Sequence, residues 1–280
     1  MKTFNKYLFT LLILINFSEL SFSQTTKILT FNIRYDNPND LENSWNNRKE
    51  KLVNLLRNYE PVIFGIQEGL PNQVAYIDSS LINYNYIGNG RDGNNKGEYS
   101  ALFYNKTKYL VLESKTFWLS KTPDFVSKGW DAALPRICTY GLFKNLKTNR
   151  KIWIFNAHFD HIGEIARENS AKLIVKKIHE VNTENYPIVL MGDFNATPNK
   201  KPILYLKTQL DDALAISKKP LYGPIGTFNG FNKKPTVRKI DYFFTSNLKV
   251  LSYIHIDDRL NNNNYISDHF PVLIIVSNKE

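Results

Sequence analysis

Cysteine is nearly absent: Cys138 is the only one in 280 residues. A single thiol excludes an internal disulfide, so the chain is not a disulfide-stapled secreted scaffold. Cys138 lies in the strand-like segment Arg136-Ile137-Cys138-Thr139-Tyr140 and reads as a small buried side chain, which speaks against a Cys–His protease. Histidine is sparse, with five in the chain, and the pair His158 and His161 has no cysteine cluster with which to hold zinc. Acid is in deficit: 26 Asp and Glu face 36 Lys and Arg, a net charge of +10. A basic chain is drawn to polyanions, whether nucleic acid, anionic lipid or acidic polysaccharide. The charge is dispersed, and no long basic run marks a nucleic-acid arm. Beyond residue 23 there is no apolar run of spanning length, no repeat and no low-complexity linker, which points to one large domain over 24–280.

The one long apolar stretch is at the start. Lys2 and Lys6 precede the apolar run 7–17, and Ser21-Phe22-Ser23 forms a small-x-small site before Gln24. This is the pattern of a secretory signal peptide over 1–23, cut after about Ser23, and the run is short for a membrane anchor. The working protein is expected as a secreted or periplasmic monomer without stable membrane insertion. The leader carries Lys2, Lys6 and Glu19, so the remainder keeps a net charge of +9.

What is abundant is strand. Apolar, β-branched or aromatic runs predict strands at 27–33, 61–66, 101–104, 109–119, 137–143, 152–157, 188–191, 240–244, 250–256 and 272–276. Helical spacing predicts helices at 46–59, 72–81, 164–181 and 201–210, the last with Pro202 in its first turn. So many strands are too many for a simple doubly wound sheet. Two packed sheets with helices outside each fit better. The Gly/Pro-rich, aromatic stretch 222–238 reads as a long loop, of the kind that is usually functional or mobile.

Polar side chains gather where these apolar runs end. Ser267-Asp268-His269 precedes the buried run 272–276: an acid beside an imidazole that titrates near neutrality suits metal-assisted hydrolysis, though Ser-Asp-His also makes an ordinary polar turn. Asn32 sits inside an apolar strand and needs partners. Glu68 ends another strand, and reads as a salt bridge, a helix-cap contact or an oxygen ligand for a hard divalent cation. His158 ends a third. In Gly192-Asp193-Phe194-Asn195 a carboxylate and an amide stand two residues apart, suited to hold an attacking water and a phosphoryl oxygen, or simply to form an Asx turn. Asp241 opens a further strand, and its assigned role is to orient the imidazole of His269. Each feature has a bland explanation alone; the set argues for convergence on one site.

The segments FNIR with Asn32, QE with Glu68, NAHFDH with His158, GDFN with Asp193 and Asn195, IDY with Asp241, and SDH with Asp268 and His269 occur in the order seen in the endonuclease/exonuclease/phosphatase superfamily, the deoxyribonuclease I-like fold, which the chain resembles over nearly all of 24–280. The stretches YDNPND, GRDGNNKGEYS, SKGWDAALPR and YGPIGTFNGF are similar to an exported bacterial branch. The resemblance implies an α/β fold: a four-layered α/β/β/α sandwich of two packed, mainly antiparallel sheets with helices outside. It also implies Mg²⁺- or Mn²⁺-dependent phosphoester cleavage. Glu68 would be the main metal ligand with Asn32 and Asp268 close by; Asp193 would align the water, Asn195 and His158 would hold the phosphate, and Asp241 would orient His269. Arg34 stands where some nuclease members carry an acid, so a second metal ligand is not expected there. Arg34, Arg91 and Arg136 are candidates for gripping phosphate, and Phe228, Phe231, Trp45 and Trp130 for stacking on a base or sugar or for packing. The expected activity is that of a metal-dependent phosphodiesterase or phosphatase acting on nucleic acid, a phospholipid head group or a small or glycan-linked phosphoester. The alternative is a non-catalytic module binding an anionic ligand, which would have little reason to keep the whole set. A glycoside hydrolase needs neither Asn nor two His.

Overall fold

The structure, a computed structural model, describes residues 25–279; the leader expected over 1–23 lies outside them. The strands are β1 (Thr26–Asn32), β2 (Ile63–Gln67), β3 (Tyr84–Ile87), β4 (Leu102–Asn105), β5 (Tyr109–Trp118), β6 (Ile137–Asn145), β7 (Lys151–His158), β8 (Ile188–Asp193), β9 (Asp211–Asp212), β10 (Asp241–Ser246), β11 (Leu248–His255) and β12 (Val272–Asn278). The helices are α1 (Trp45–Tyr59), α2 (Pro71–Ser80), α3 (Glu164–Val181) and α4 (Lys201–Gln209). Two six-stranded sheets form, ordered β11-β12-β1-β2-β4-β3 and β5-β6-β7-β8-β10-β9. Only β1 with β2 and β7 with β8 run parallel; the other pairs are antiparallel.

The period-2 alternation of a strand sorts each central strand's side chains into two layers. In β1, Leu29 and Phe31 join Leu52, Val53, Leu56 and Ile77 of α1 and α2, while Ile28 faces the other sheet. In β7 and β8, Phe155 and Leu190 pack on Ile174 of α3 and Leu206 of α4, while Ile154, Val189 and Met191 meet Ile28, Ile63 and Ile274 between the sheets. The result is the four-layered sandwich. Cys138 is buried and unpaired in β6, and no helix among the described residues is long and apolar enough to cross a membrane.

The ten expected strands and four expected helices are all present, and 222–238 carries none of the named strands or helices. Two strands were not anticipated. β3 is a partly exposed edge strand, and β9 is an Asp-Asp pair.

The polar groups stay in phase with the layer between the sheets. Asn32 follows Ile28 and Thr30, His158 follows Ile154 and Asn156, Asp193 follows Val189 and Met191, and Asp241 precedes Phe243. Parallel pairing of β7 with β8 puts His158 opposite Asp193, and antiparallel pairing of β8 with β10 puts Asp241 opposite Asp193. One end of the sandwich therefore collects them.

Candidate active site

Glu68 is out of phase: Gln67 already points between the sheets, where its Nε2 donates to Thr30 Oγ1 at 3.0 Å and Asn156 Oδ1 at 2.6 Å. The backbone at Glu68 takes φ +64°, and this left-handed turn brings its carboxylate to the site. Gly192 has a related task. Its φ is +141°, and a Cβ there would lie 1.9 Å from the Ala157 carbonyl oxygen, so only glycine lets β8 run against β7 and deliver Asp193 beside His158.

Asn32 Nδ2 donates to Glu68 Oε1 and to Asp193 Oδ2, both at 3.0 Å, so carboxylates from the two sheets converge on one amide. Asn32 Oδ1 accepts the Arg34 backbone N–H at 3.0 Å. His269 Nε2 lies 3.7 Å from the same Asp193 Oδ2, and His269 Nδ1 meets Asp241 Oδ2 at 2.9 Å. Asn195 is in the left-handed region (φ +45°), its N–H bonded to Asp193 Oδ1 at 2.9 Å and its Nδ2 3.1 Å from His158 Nε2. The Asx turn and the Asp193–Asn195 pair are thus one construction. Arg136 Nη1 approaches both ring nitrogens of His158, at 3.0 and 3.1 Å.

Electrostatics divides the two imidazoles. Burial, then Arg136 and Arg91, hold His158 well below its ordinary pKa, so it stays neutral and accepts hydrogen bonds. Burial also opposes charge on His269, but the carboxylates of Asp241 and Asp193 outweigh it and raise His269. Burial, reinforced by Asp241, pushes the Asp193 carboxyl up, against His269.

These groups, with Arg34, Arg91, Arg136, Phe228 and Asp268, line one cleft of ≈ 580 Å³; Asn32 and Asp241 stand behind the lining at 0% and 1% exposure. The expected catalytic and metal-ligating residues, the three arginines and Phe228 are therefore all at this end of the molecule. Their free capacity differs from expectation, however. Arg34 forks onto Asp40 at 2.8 and 2.9 Å and lies 3.8 Å from Asp268; Arg91 is held by Glu98 at 2.7 Å and Arg136 by Asp160 at 3.4 Å. Phe228 lies edge-on to His269 at 5.0 Å, with Arg238 over its ring at 4.7 Å. Trp45 and Phe231 pack instead, against Tyr76 and under Arg48, and Trp130 is not among the lining residues.

Tyr35, Glu98, His161 and Arg238 also line the cleft and were not read as site residues. Two supports were missed as well. Asp160 accepts backbone N–H groups of Ala133, Leu134, Ile162 and Gly163 and anchors Arg136. Arg48, fully buried, donates to the carbonyls of Ile33 and Ile266, both at 2.8 Å, and so ties the end of β1 to the Ser-Asp-His turn. An arginine on the apolar face of α1 was the available signal.

Glu68, His158 and Asp193 offer ligand atoms within 4.8 Å of one another, and so do Asp193, Asp241 and His269. Two facing carboxylates are hard donors, and a divalent cation would relieve their repulsion, so the residues fit one. Asp268 is in neither group; its neighbours are Arg34 and the Ser267 hydroxyl at 3.3 Å.

The endonuclease/exonuclease/phosphatase family profile matches residues 29–269. An endonuclease/exonuclease/phosphatase of Bacteroides vulgatus is 39% identical, with 91% of this chain and 100% of that chain covered and a TM-score of 0.87. A mannosyl-6-phosphatase of Bacteroides thetaiotaomicron is 36% identical, with 90% and 99% covered and a TM-score of 0.85. An uncharacterized protein of Acanthamoeba polyphaga mimivirus is 30% identical over 248 residues, 82% of this chain and 91% of that protein. Since the matched span contains every group from Asn32 to His269, the chain belongs to the endonuclease/exonuclease/phosphatase family.

Proposed function

We propose that this protein is a phosphoester hydrolase dependent on Mg²⁺ or Mn²⁺. Family members are phosphoester hydrolases, phosphatases and nucleases among them. The observation that carries the reading is the chain Asp241–His269–Asp193–Asn32–Glu68, largely buried at the base of one cleft. A non-catalytic binder has no need of it.

Glu68 and Asp193, with Asn32 beside them, would hold the ion, which would supply charge neutralisation at a phosphoryl oxygen. Asp193 orients the attacking water and takes its proton. His269, kept cationic by Asp241 and Asp193, faces the charge that develops on phosphorus-bound oxygen. Asn195 and neutral His158 fix the phosphoryl group from the other side. The 36% identical mannosyl-6-phosphatase supports a small sugar phosphoester as substrate over a polymer. The leader pattern over 1–23 supports work in the periplasm or outside the cell.

The test is release of p-nitrophenol from p-nitrophenyl phosphate and bis(p-nitrophenyl) phosphate with Mg²⁺ or Mn²⁺, then with chelator. Metal-dependent, chelator-sensitive release of either is expected. No release from either aryl ester, and none from hexose 6-phosphates, with either metal overturns the reading in favour of a binding module.

A further inference from the structure

Glu98 stands in the wall of the cleft without a part in the chemistry above. It belongs to the loop between β3 and β4, which is folded tightly on itself. Arg91 N–H donates to the Glu98 carbonyl at 2.9 Å, Asp92 N–H to the Lys96 carbonyl at 3.1 Å, and Trp118 Nε1 to the Arg91 carbonyl at 2.7 Å. Glu98 Oε2 accepts from Arg91 Nη1 at 2.7 Å, and among the described residues no other donor reaches that carboxylate. Glu98 also lies outside both groups of side chains that could hold an ion.

A carboxylate is a costly choice in this position. Burial, and then the nearby Glu68, push its carboxyl up to about 7. It repels phosphate, the group the rest of the cleft is built to receive. Three of the cleft's arginines are committed to acids, Arg34 to Asp40, Arg91 to Glu98 and Arg136 to Asp160, so the cleft is no open cationic track for a nucleic acid. What a half-buried carboxylate with an unfilled acceptor oxygen welcomes is a hydrogen-bond donor on the alcohol side of the ester.

We propose that Glu98, positioned by Arg91, is a specificity-determining residue that accepts hydrogen bonds from the hydroxyl groups of a sugar leaving group. This rests on the hydrolase reading. A purely structural Glu98 would order its loop and affect all substrates alike.

The test compares kcat/KM for the 6-phosphates of glucose, mannose and galactose with that for p-nitrophenyl phosphate, whose leaving group has no such hydroxyls. In Glu98→Gln, Arg91 claims the amide oxygen and turns NH₂ toward the sugar. The ratio of the best hexose phosphate to the aryl ester should fall at least tenfold, and fall again in the same direction in Glu98→Ala. A ratio within twofold of wild type in both variants overturns the inference. So does a wild type that cleaves the aryl ester and none of the hexose phosphates. A wild type inert on every ester with both metals overturns the hydrolase reading itself.

Discussion

Asp193 is the residue on which both halves of the site depend, since its Oδ2 accepts from Asn32 and lies 3.7 Å from His269. Asp193→Asn keeps the shape and removes the proton acceptor. Loss of general-base catalysis costs about 10²–10⁴-fold in kcat. The melting temperature should hold or rise, because a buried carboxylate pressed by Asp241 is gone. Turnover within threefold of wild type would remove Asp193 from the reaction. This residue was legible because its strand announces it: an apolar run, a glycine, then an acid in phase with the layer between the sheets. Asn32, His158 and Asp241 were legible for the same reason, whereas His269 stands ahead of its strand and was read from the Ser-Asp-His segment. Glu98, Asp160 and Tyr35 were not. They reach the site from loops, where no period tells a cleft-lining side chain from a solvated one, and Glu68 required a left-handed turn that its sequence does not declare.

At the scale of elements, α1 does more than cover a sheet. Its Arg48 is buried with its guanidinium on four carbonyls, those of Asn43 at 2.6 Å, Ile33 and Ile266 at 2.8 Å, and Arg34 at 3.2 Å. Burial pulls its pKa down to about 10, yet it remains charged at neutrality. Arg48→Met fills much of the volume but leaves those acceptors without a donor, at a cost of about 3 kcal/mol or more. A thermal melt should drop by several degrees, and Mg²⁺ titration of the surviving fold should weaken, because the Ile33 and Ile266 ends that carry Asn32 and Asp268 lose their tie. An unchanged melt and titration would reduce Arg48 to packing. The long helices and central strands were readable because burial on one or both faces imposes a period. Helix α3 was expected over the residues it occupies. By contrast, β9 is two aspartates whose extended state comes only from pairing with β10, and β3 is a sheet edge with exposed side chains; tertiary pairing, not local pattern, makes both.

At the scale of the whole molecule, two buried groups each tie stability to the absence of acid. His255 is fully buried, and burial holds its imidazole down to about 4. The unfolded chain binds that proton near pH 6.5, so this contribution is complete above about 6.5 and is lost as pH falls through 4. Burial pushes the Asp160 carboxyl up, but the N–H groups of Gly163, Ala133 and Ile162, with Arg136, outweigh it and hold it down to about 2. Its contribution is complete above about pH 4 and is lost toward 2. The Glu98 and Asp193 carboxyls, pushed up by burial, act in the opposite direction between pH 7 and 4, so His255 is isolated by comparison: the wild-type urea midpoint should fall relative to that of His255→Gln over that range. A difference between the two midpoints that stays constant from pH 7 to 4 would contradict the assignment.

The same global view makes the cation a structural matter as well as a chemical one. Glu68 follows β2 in one sheet and Asp193 ends β8 in the other, so an ion held by both would join the two halves of the sandwich. A ligand that binds only the folded state stabilises it by about 2.7 kcal/mol at a hundred times its Kd. For a domain of this size that is roughly 5–10 °C in Tm. Saturating Mg²⁺ or Mn²⁺ should raise the melt by that order, and chelator should return it. Glu68→Gln should abolish the rise without lowering the metal-free Tm, since it removes one of two carboxylates that face each other across Asn32. A wild-type melt indifferent to both metals would mean that these two carboxylates do not share an ion, whatever the activity assays find.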